Sequence, residues 1–377
     1  MTETKPTVHE LFEPCEVAGL QLRNRFAMAP MTRSFSPGGA PGPDVAAYYA
    51  RRARGGVALI ITEGTYVPHP AAGPDPAVPR MFGQRSLQGW RRVVEEVHAG
   101  GGAILAQLWH TGATRGDSPQ LNPDVVTVSP SGIWTDGRKA GRALRSGADL
   151  EEIRTAFVEA ARNAQQVGFD GVELHGAHGY LLDEFLWWGS NLRTDEYGGS
   201  RAARARFPAE IVAAIRAAVG PGFAIAFRFS QWKDHDYTAR LADTPAELGE
   251  LLAPLAEAGV ELFHASTRHC FASAFPDLPG PDGEAGLAGW VKRLTGRPVI
   301  AVGQVGLAND FQIAFADAGG SPAASIEPLA ERFARGEFDL VAIGRALLAD
   351  PEWVNKMRDG RVGEIVEFTV EHRRRLW

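Results

Sequence analysis

The 377-residue chain is 45% hydrophobic and 22% charged, an ordinary globular composition that excludes wholesale disorder and supplies a large core. Its 39 Lys and Arg against 45 Asp and Glu leave a net charge of -6, so no basic excess exists to neutralise a nucleic-acid backbone, and DNA or RNA binding is set aside. Cys15 and Cys270 are too few for an iron–sulfur cluster, an all-cysteine zinc site or a disulfide framework; with no signal-like apolar leader and no apolar run of about 18 residues, a soluble, cytoplasmic protein without a membrane span is expected.

Along the chain, residues 15–18 and 20–25 read as an N-terminal β-hairpin closing one end of the fold. Eight short aliphatic runs follow, at 25–31, 57–62, 103–109, 171–175, 223–229, 262–265, 298–302 and 340–343. Several are apolar on both faces, as in VALIIT and FAIAFRF, which marks strands sandwiched between helices and a packed interior. Helical patterns lie between them. One starts at Asp149 as N-cap with Glu152 three residues on, carries Ile153, Ala156, Phe157, Ala160, Ala164 and Val167 on one face, and stops at Gly168. A stripe of Phe207, Ile211, Val212, Ile215 and Val219 closes at Gly220. Another helix starts at Thr244 with Pro245 in first position, and Leu248, Leu251, Leu252 and Leu255 line it before Gly259. Segments 36–43 and 68–79 are Gly/Pro-rich loops, and long excursions at 111–148 and 268–289 leave strands three and six. No GxGxxG or GxxxxGK[ST] fingerprint is present, so the arithmetic favours an α/β, (β/α)8 TIM barrel over a doubly wound sheet, as a single domain spanning residues 1–377.

Barrels carry their chemistry where strands end, and the polar residues at those ends are Thr32, Glu63, Gln107, His110, His175, His178, Arg228, His264 and Arg345. The sharpest local feature is His175-Gly-Ala-His178-Gly-Tyr180. Two imidazoles and a phenol so close together suit catalysis, a metal site completed by further ligands, or structural hydrogen bonding, and flanking Gly176 and Gly179 let a ligand approach the backbone. At strands seven and eight the chain reads Ala301-Val302-Gly303-Gln304 and Ile343-Gly344-Arg345, the outline of a phosphate site. Arg228 ends an otherwise apolar strand, where an unpaired guanidinium is costly, and Gln107 offers an amide at a similar height.

Taken together, LRNRFAMAPMTR (22–33), the YYARRA…LIITEG run (48–64), AQLWHTG (106–112), HGAHGYLLDEFL…SNLRTDEYGGS (175–200) and VAIGRALLADPEW (341–353) resemble the Old Yellow Enzyme family of FMN-dependent ene-reductases over nearly the whole chain. The resemblance implies non-covalent FMN, reduced by NADPH or NADH and reoxidised by an activated alkene, in a homodimer or homotetramer. It further implies that Pro30, Met31 and Thr32 pack along the flavin, Gly64 and Gln107 meet its pyrimidine side, and Arg228 sits near N1. Gly303, Gln304, Gly344 and Arg345 would hold the phosphate. His175 and His178 would polarise the substrate's carbonyl or nitro group, Tyr180 would protonate the α-carbon, and Trp109 and Trp187 or Trp188 would wall the substrate pocket, with Phe271 and Phe275 as weaker candidate contacts. No metal is implied. A same-family tailoring oxidase, dehydrogenase or isomerase is the alternative, and a metal-dependent barrel hydrolase using His175 and His178 the distant one.

The sequence departs from the family in three places. Trp187-Trp188-Gly189 stands where a polar or small residue and Pro are usual, and the stretch Arg201–Phe207 lacks an Asn before its Arg pair. Thr32 matches the branch with Thr at the flavin, yet the ending Arg373-Arg374-Arg375-Leu376-Trp377 is similar to the other branch's neighbour-inserted arginine; a basic C-terminal run reads first as a solvated tail.

Overall fold

The computed structural model describes residues 7–134, 136–309 and 320–377. Parallel strands β1 (Phe26–Met28), β2 (Leu59–Ile61), β3 (Ala103–Trp109), β4 (Gly171–His178), β5 (Ala224–Lys233), β6 (Leu262–Ser266), β7 (Val299–Val302) and β8 (Leu340–Ile343) pair in chain order. β8 then pairs back onto β1, Val341 opposite Phe26 and Ile343 opposite Met28, which closes the sheet into a barrel. All eight expected strands are present. Around them lie α1 (Pro43–Arg54), α2 (Gln84–Ala99), α3 (Ala148–Val167), α4 (Arg201–Val219), α5 (Pro245–Ala258), α6 (Leu287–Thr295), α7 (Glu327–Ala334) and α8 (Trp353–Arg358).

The strand period of two sorts the side chains into two cores. On β3, Ile104, Ala106 and Leu108 face outward and join the helix faces, among them Ile153 and Phe157 of α3 and Leu251 and Leu255 of α5. Leu105 faces inward, in a second cluster with Leu59, Ile61, Ala226, Leu262, Ile300 and Leu340. The hairpin of Cys15–Val17 and Leu20–Leu22 puts Val17, Leu20 and Leu22 into that inner cluster, so it plugs the barrel at the N-terminal ends of the strands, as the sequence suggests.

Local signals explain most boundaries. Thr244 accepts a hydrogen bond from the Glu247 N–H at 3.3 Å and starts α5, and Gly259 at φ +113° ends it. α3 differs from expectation at its start. Gly147 precedes the helix, and Asp149 is taken by the Arg145 N–H at 2.8 Å and by the side chains of Arg142 and Arg145, an ion-pair cluster that outcompetes capping. β5 also runs on past the expected end at Phe229, through an irregularity in its pairing with β4, to Lys233. That extension carries residues to the mouth of the barrel.

Candidate active site

Strand register sets the first layer of the site. Gln107, Glu173, Arg228 and His264 all point into the barrel above the apolar plug, and all are buried. Gln107 Nε2 donates to Glu173 Oε1 at 2.8 Å, and His264 Nδ1 donates to Glu173 Oε2 at 2.6 Å. Arg228 lies level with His175 on one side and His264 on the other. Burial is the main influence lowering its guanidinium's pKa, opposed by Glu173 and Asp234.

The next layer opens to a cavity of about 810 Å³, within the ~300–1,000 Å³ typical of small-molecule sites. Pro30, Met31, Thr32, His178, Tyr180, Arg228, Gly303, Gln304, Gly344 and Arg345 all line it, which gathers expected residues from five strand ends. Gly64, Gln107, Trp109 and His175 are not among the residues that line it. Trp109 covers Gly64 so closely that a Cβ there would lie 2.4 Å from the indole. His175 packs between Trp109, with centroids 6.1 Å apart and stacked, and Tyr180, at 4.7 Å and edge-on.

His178 holds a left-handed backbone, φ +67°, a conformation that costs a non-glycine residue free energy and persists where surroundings over-determine it. Its N–H donates to Ser230 Oγ at 3.0 Å, its ring stacks on Trp232 at 4.3 Å, and its Nε2 lies 2.8 Å from Ser266 Oγ. Arg228 also donates to Ser266 at 3.0 Å, so one hydroxyl links the cation to the His178 ring. Burial, reinforced by Arg228, holds both His175 and His178 well below the usual histidine pKa. The pair is therefore neutral near pH 7, each ring offering one N–H.

Two buried carboxylates fix the segments that carry these groups. Glu63 accepts from the N–H groups of Arg33 and Ser34 at 2.8 and 3.0 Å and so holds the turn that follows Pro30–Thr32. Burial pushes its carboxyl up to about 7. Asp183 accepts from the Gly179 N–H at 2.6 Å and from Lys233 Nζ at 2.9 Å, tying the β4 loop to the end of β5. Both members of that ion pair are fully buried.

Several wall residues are ones the sequence reading passed over: Trp232, Asp234 and Tyr237 past the expected end of β5, Ser266 at the end of β6 with Arg268 after it, and Val370; Arg373 and Arg374, from the C-terminal basic run, line it too. Tyr180 donates to Asp234 Oδ2 at 3.2 Å. The expected aromatic walls are corrected. Trp187 is buried beside Lys233, Trp188 is 63% exposed, Phe275 is buried on Trp290, and none of these, nor Phe271, lines the cavity. The backbone of the C-terminal run is anchored, while Arg373, Arg374 and Arg375 stay exposed. Arg33 donates to the carbonyls of His372, Arg373 and Arg375 at 3.2, 3.0 and 2.7 Å, Arg51 and Arg52 reach those of Leu376 and Trp377, and the strap is drawn over the barrel mouth. The Arg375 guanidinium lies over the Trp377 ring of its own chain, 5.1 Å from the centroid.

A flat, anionic cofactor fits these surroundings. Arg228 Nε, a donor suited to an anion, and Gln304 Oε1, an acceptor, are buried without a partner, as is His175 Nδ1. At Gly303, φ +143°, a Cβ would sit 2.6 Å from the Thr267 carbonyl, so only glycine keeps that backbone position open.

Fold and cavity together define a barrel enzyme of small-molecule chemistry. Residues 10–364 match the model of the NADH:flavin oxidoreductase / NADH oxidase family. The chain is 35% identical to an NADH oxidase of Thermoanaerobacter brockii over 94% of its own length and 52% of the relative's, so it spans about half of that protein. It is also 35% identical to 12-oxophytodienoate reductase 7 of Oryza sativa subsp. japonica, over 92% and 87%. Among solved structures, morphinone reductase superposes with a TM-score of 0.80 at 27% identity, covering 99% of this chain and 94% of that one. The same enzyme in complex with tetrahydroNAD gives 0.76 at 29%, over 93% and 90%. The chain belongs to the NADH:flavin oxidoreductase / NADH oxidase family, the Old Yellow Enzyme group of FMN-dependent oxidoreductases. That membership displaces the hydrolase reading. No helix among the described residues is long and apolar enough to cross a membrane.

Proposed function

We propose that this protein is an FMN-dependent ene-reductase that takes electrons from NADPH or NADH and reduces the C=C bond of α,β-unsaturated carbonyl or nitro compounds. The observation that carries the reading is the convergence of two neutral imidazoles and one phenol, with ring centroids within 6.4 Å of one another, beside the buried cation Arg228. Pro30, Met31, Thr32, Gly64, Gln107, Arg228, Gly303, Gln304, Gly344 and Arg345 would hold FMN. Bound FMN supplies hydride equivalents to the alkene's β-carbon.

The chain's own groups supply the rest. Arg228 would offer a buried positive charge to bound FMN and so stabilise negative charge on it, and the nearby Glu173 carboxylate supports that charge. His175 and His178, neutral, donate hydrogen bonds to the substrate oxygen and stabilise the enolate-like charge that builds there. Tyr180, whose phenol is held protonated chiefly by burial, gives its proton to the α-carbon. Trp232 orients the His178 ring by stacking on it.

The test is a visible spectrum of the purified protein recorded without oxygen. A flavin band that bleaches with NADPH or NADH and returns with cyclohexenone is the expected result; a flavin that stays reduced with enones and nitroalkenes contradicts the reading.

A further inference from the structure

Tyr180 can give a proton only once per turnover, so a proton source must restore it, and the side chain its hydroxyl touches is Asp234. We propose that Asp234 is that group: a carboxylic acid that returns a proton to the Tyr180 oxygen as Tyr180 protonates the substrate, and then reloads from solvent. The inference rests on the ene-reductase reading. In the step, the Tyr180 O–H bond breaks as the α-carbon C–H bond forms; the Asp234 O–H bond breaks as the Tyr180 O–H bond re-forms; and the Asp234 carboxylate takes a proton from water. No electron moves through the relay.

The geometry is built for it. Tyr180 Oη and Asp234 Oδ2 are 3.2 Å apart, and both residues line the cavity. Their backbones are joined twice over. The Asp234 N–H donates to the His178 carbonyl at 3.2 Å, and Asp183 bridges Gly179, the neighbour of Tyr180, to Lys233, the neighbour of Asp234. A contact between residues 54 apart in sequence is thus pre-organised from both sides. Asp234 is exposed, but its exposure is to the cavity mouth, so it meets solvent while protein crowds it. Around it stand Tyr180, Arg228 and His235, with the Lys233 ammonium turned away into its pair with Asp183. Burial outweighs those partners and raises the Asp234 carboxyl, which keeps its acid form to higher pH than an ordinary aspartate.

Asp234 touches Tyr180 rather than the reacting carbon, so its test must separate proton supply from placement. In the FMN-loaded enzyme, alkene-driven reoxidation is expected to fall with rising pH as Asp234 ionises. D234N should slow that reoxidation roughly tenfold or more relative to reduction by the nicotinamide nucleotide, and should erase the pH-dependent fall. D234E should restore the fall. Infrared difference spectra of wild type against D234N should show a protonated carboxyl band that persists to higher pH than an ordinary aspartate's. A D234N enzyme with the wild-type ratio and the same pH profile, or the absence of that band, overturns the relay and leaves the ene-reductase reading standing. A wild-type enzyme that no activated alkene reoxidises overturns both.

Discussion

The two ends of this barrel are made from the same eight strands and do opposite things. At the N-terminal end, Val17, Leu20 and Leu22 of the hairpin and inward residues such as Leu59, Leu105, Leu262 and Leu340 form a dry plug. Two to four positions further along the same strands, the inward residues become Gln107, Glu173, Arg228, His264 and Ser266, every one buried. The apolar end needs only close packing. The polar end is linked by hydrogen bonds through Glu173 and Ser266 but leaves Arg228 Nε, His264 Nε2 and His175 Nδ1 buried without a partner. Stability and chemistry are thus separated along the strand axis, as barrels generally arrange them.

That separation can be broken on purpose. The largest effect belongs to the polar end: Tyr180→Phe should slow alkene-driven reoxidation by about 10²–10⁴-fold while FMN stays bound, measured by stopped flow. Next is Lys233→Met, which strands the buried Asp183 carboxylate and should cost about 3–5 kcal/mol in urea unfolding; removing Asp183 as well should recover much of it. At the plug, Leu105→Ala should cost about 2–5 kcal/mol by the cavity it leaves, yet keep the ratio of the two half-reactions at the wild-type value. The last effect is one of pH. With the Glu63 carboxyl pushed up from 4.5 to about 7 in the folded state, the native protein binds more protons than the unfolded chain in that window. Stability therefore declines as pH rises from about 4.5 to about 7, and Glu63→Gln should flatten this contribution in unfolding curves taken across the window.

How much of this was legible in the sequence follows the same division. The eight strands could be read because a buried parallel strand needs a continuous apolar run, and the start of α5 because Thr244 and Pro245 act locally. The phosphate-like turns at Gly303 and Gly344 could be read because two weak signals fall on adjacent strands, and both residues do line the cavity. Asp149 misled because a capping residue and an ion-pair residue look alike until Arg142 and Arg145 are seen beside it. Trp232 and Asp234 were illegible for another reason. The stretch after Phe229 has no apolar period to announce a strand, and its pairing with the β4 loop is a long-range contact. The C-terminal strap was hidden likewise, since Arg33 binds its carbonyls and carbonyls have no residue code.

The most direct test of the central claim is the position of the new hydrogens. Reduction of 2-methylcyclohexenone by the FMN-loaded enzyme with NADPH or NADH in D2O, followed by nuclear magnetic resonance of promptly extracted product, should place one deuterium on the α-carbon and none on the β-carbon. That is the signature of hydride from the nucleotide, carried by the cofactor, and a proton from the Tyr180 side. Deuterium on the β-carbon, or an unlabelled α-carbon, would contradict the account.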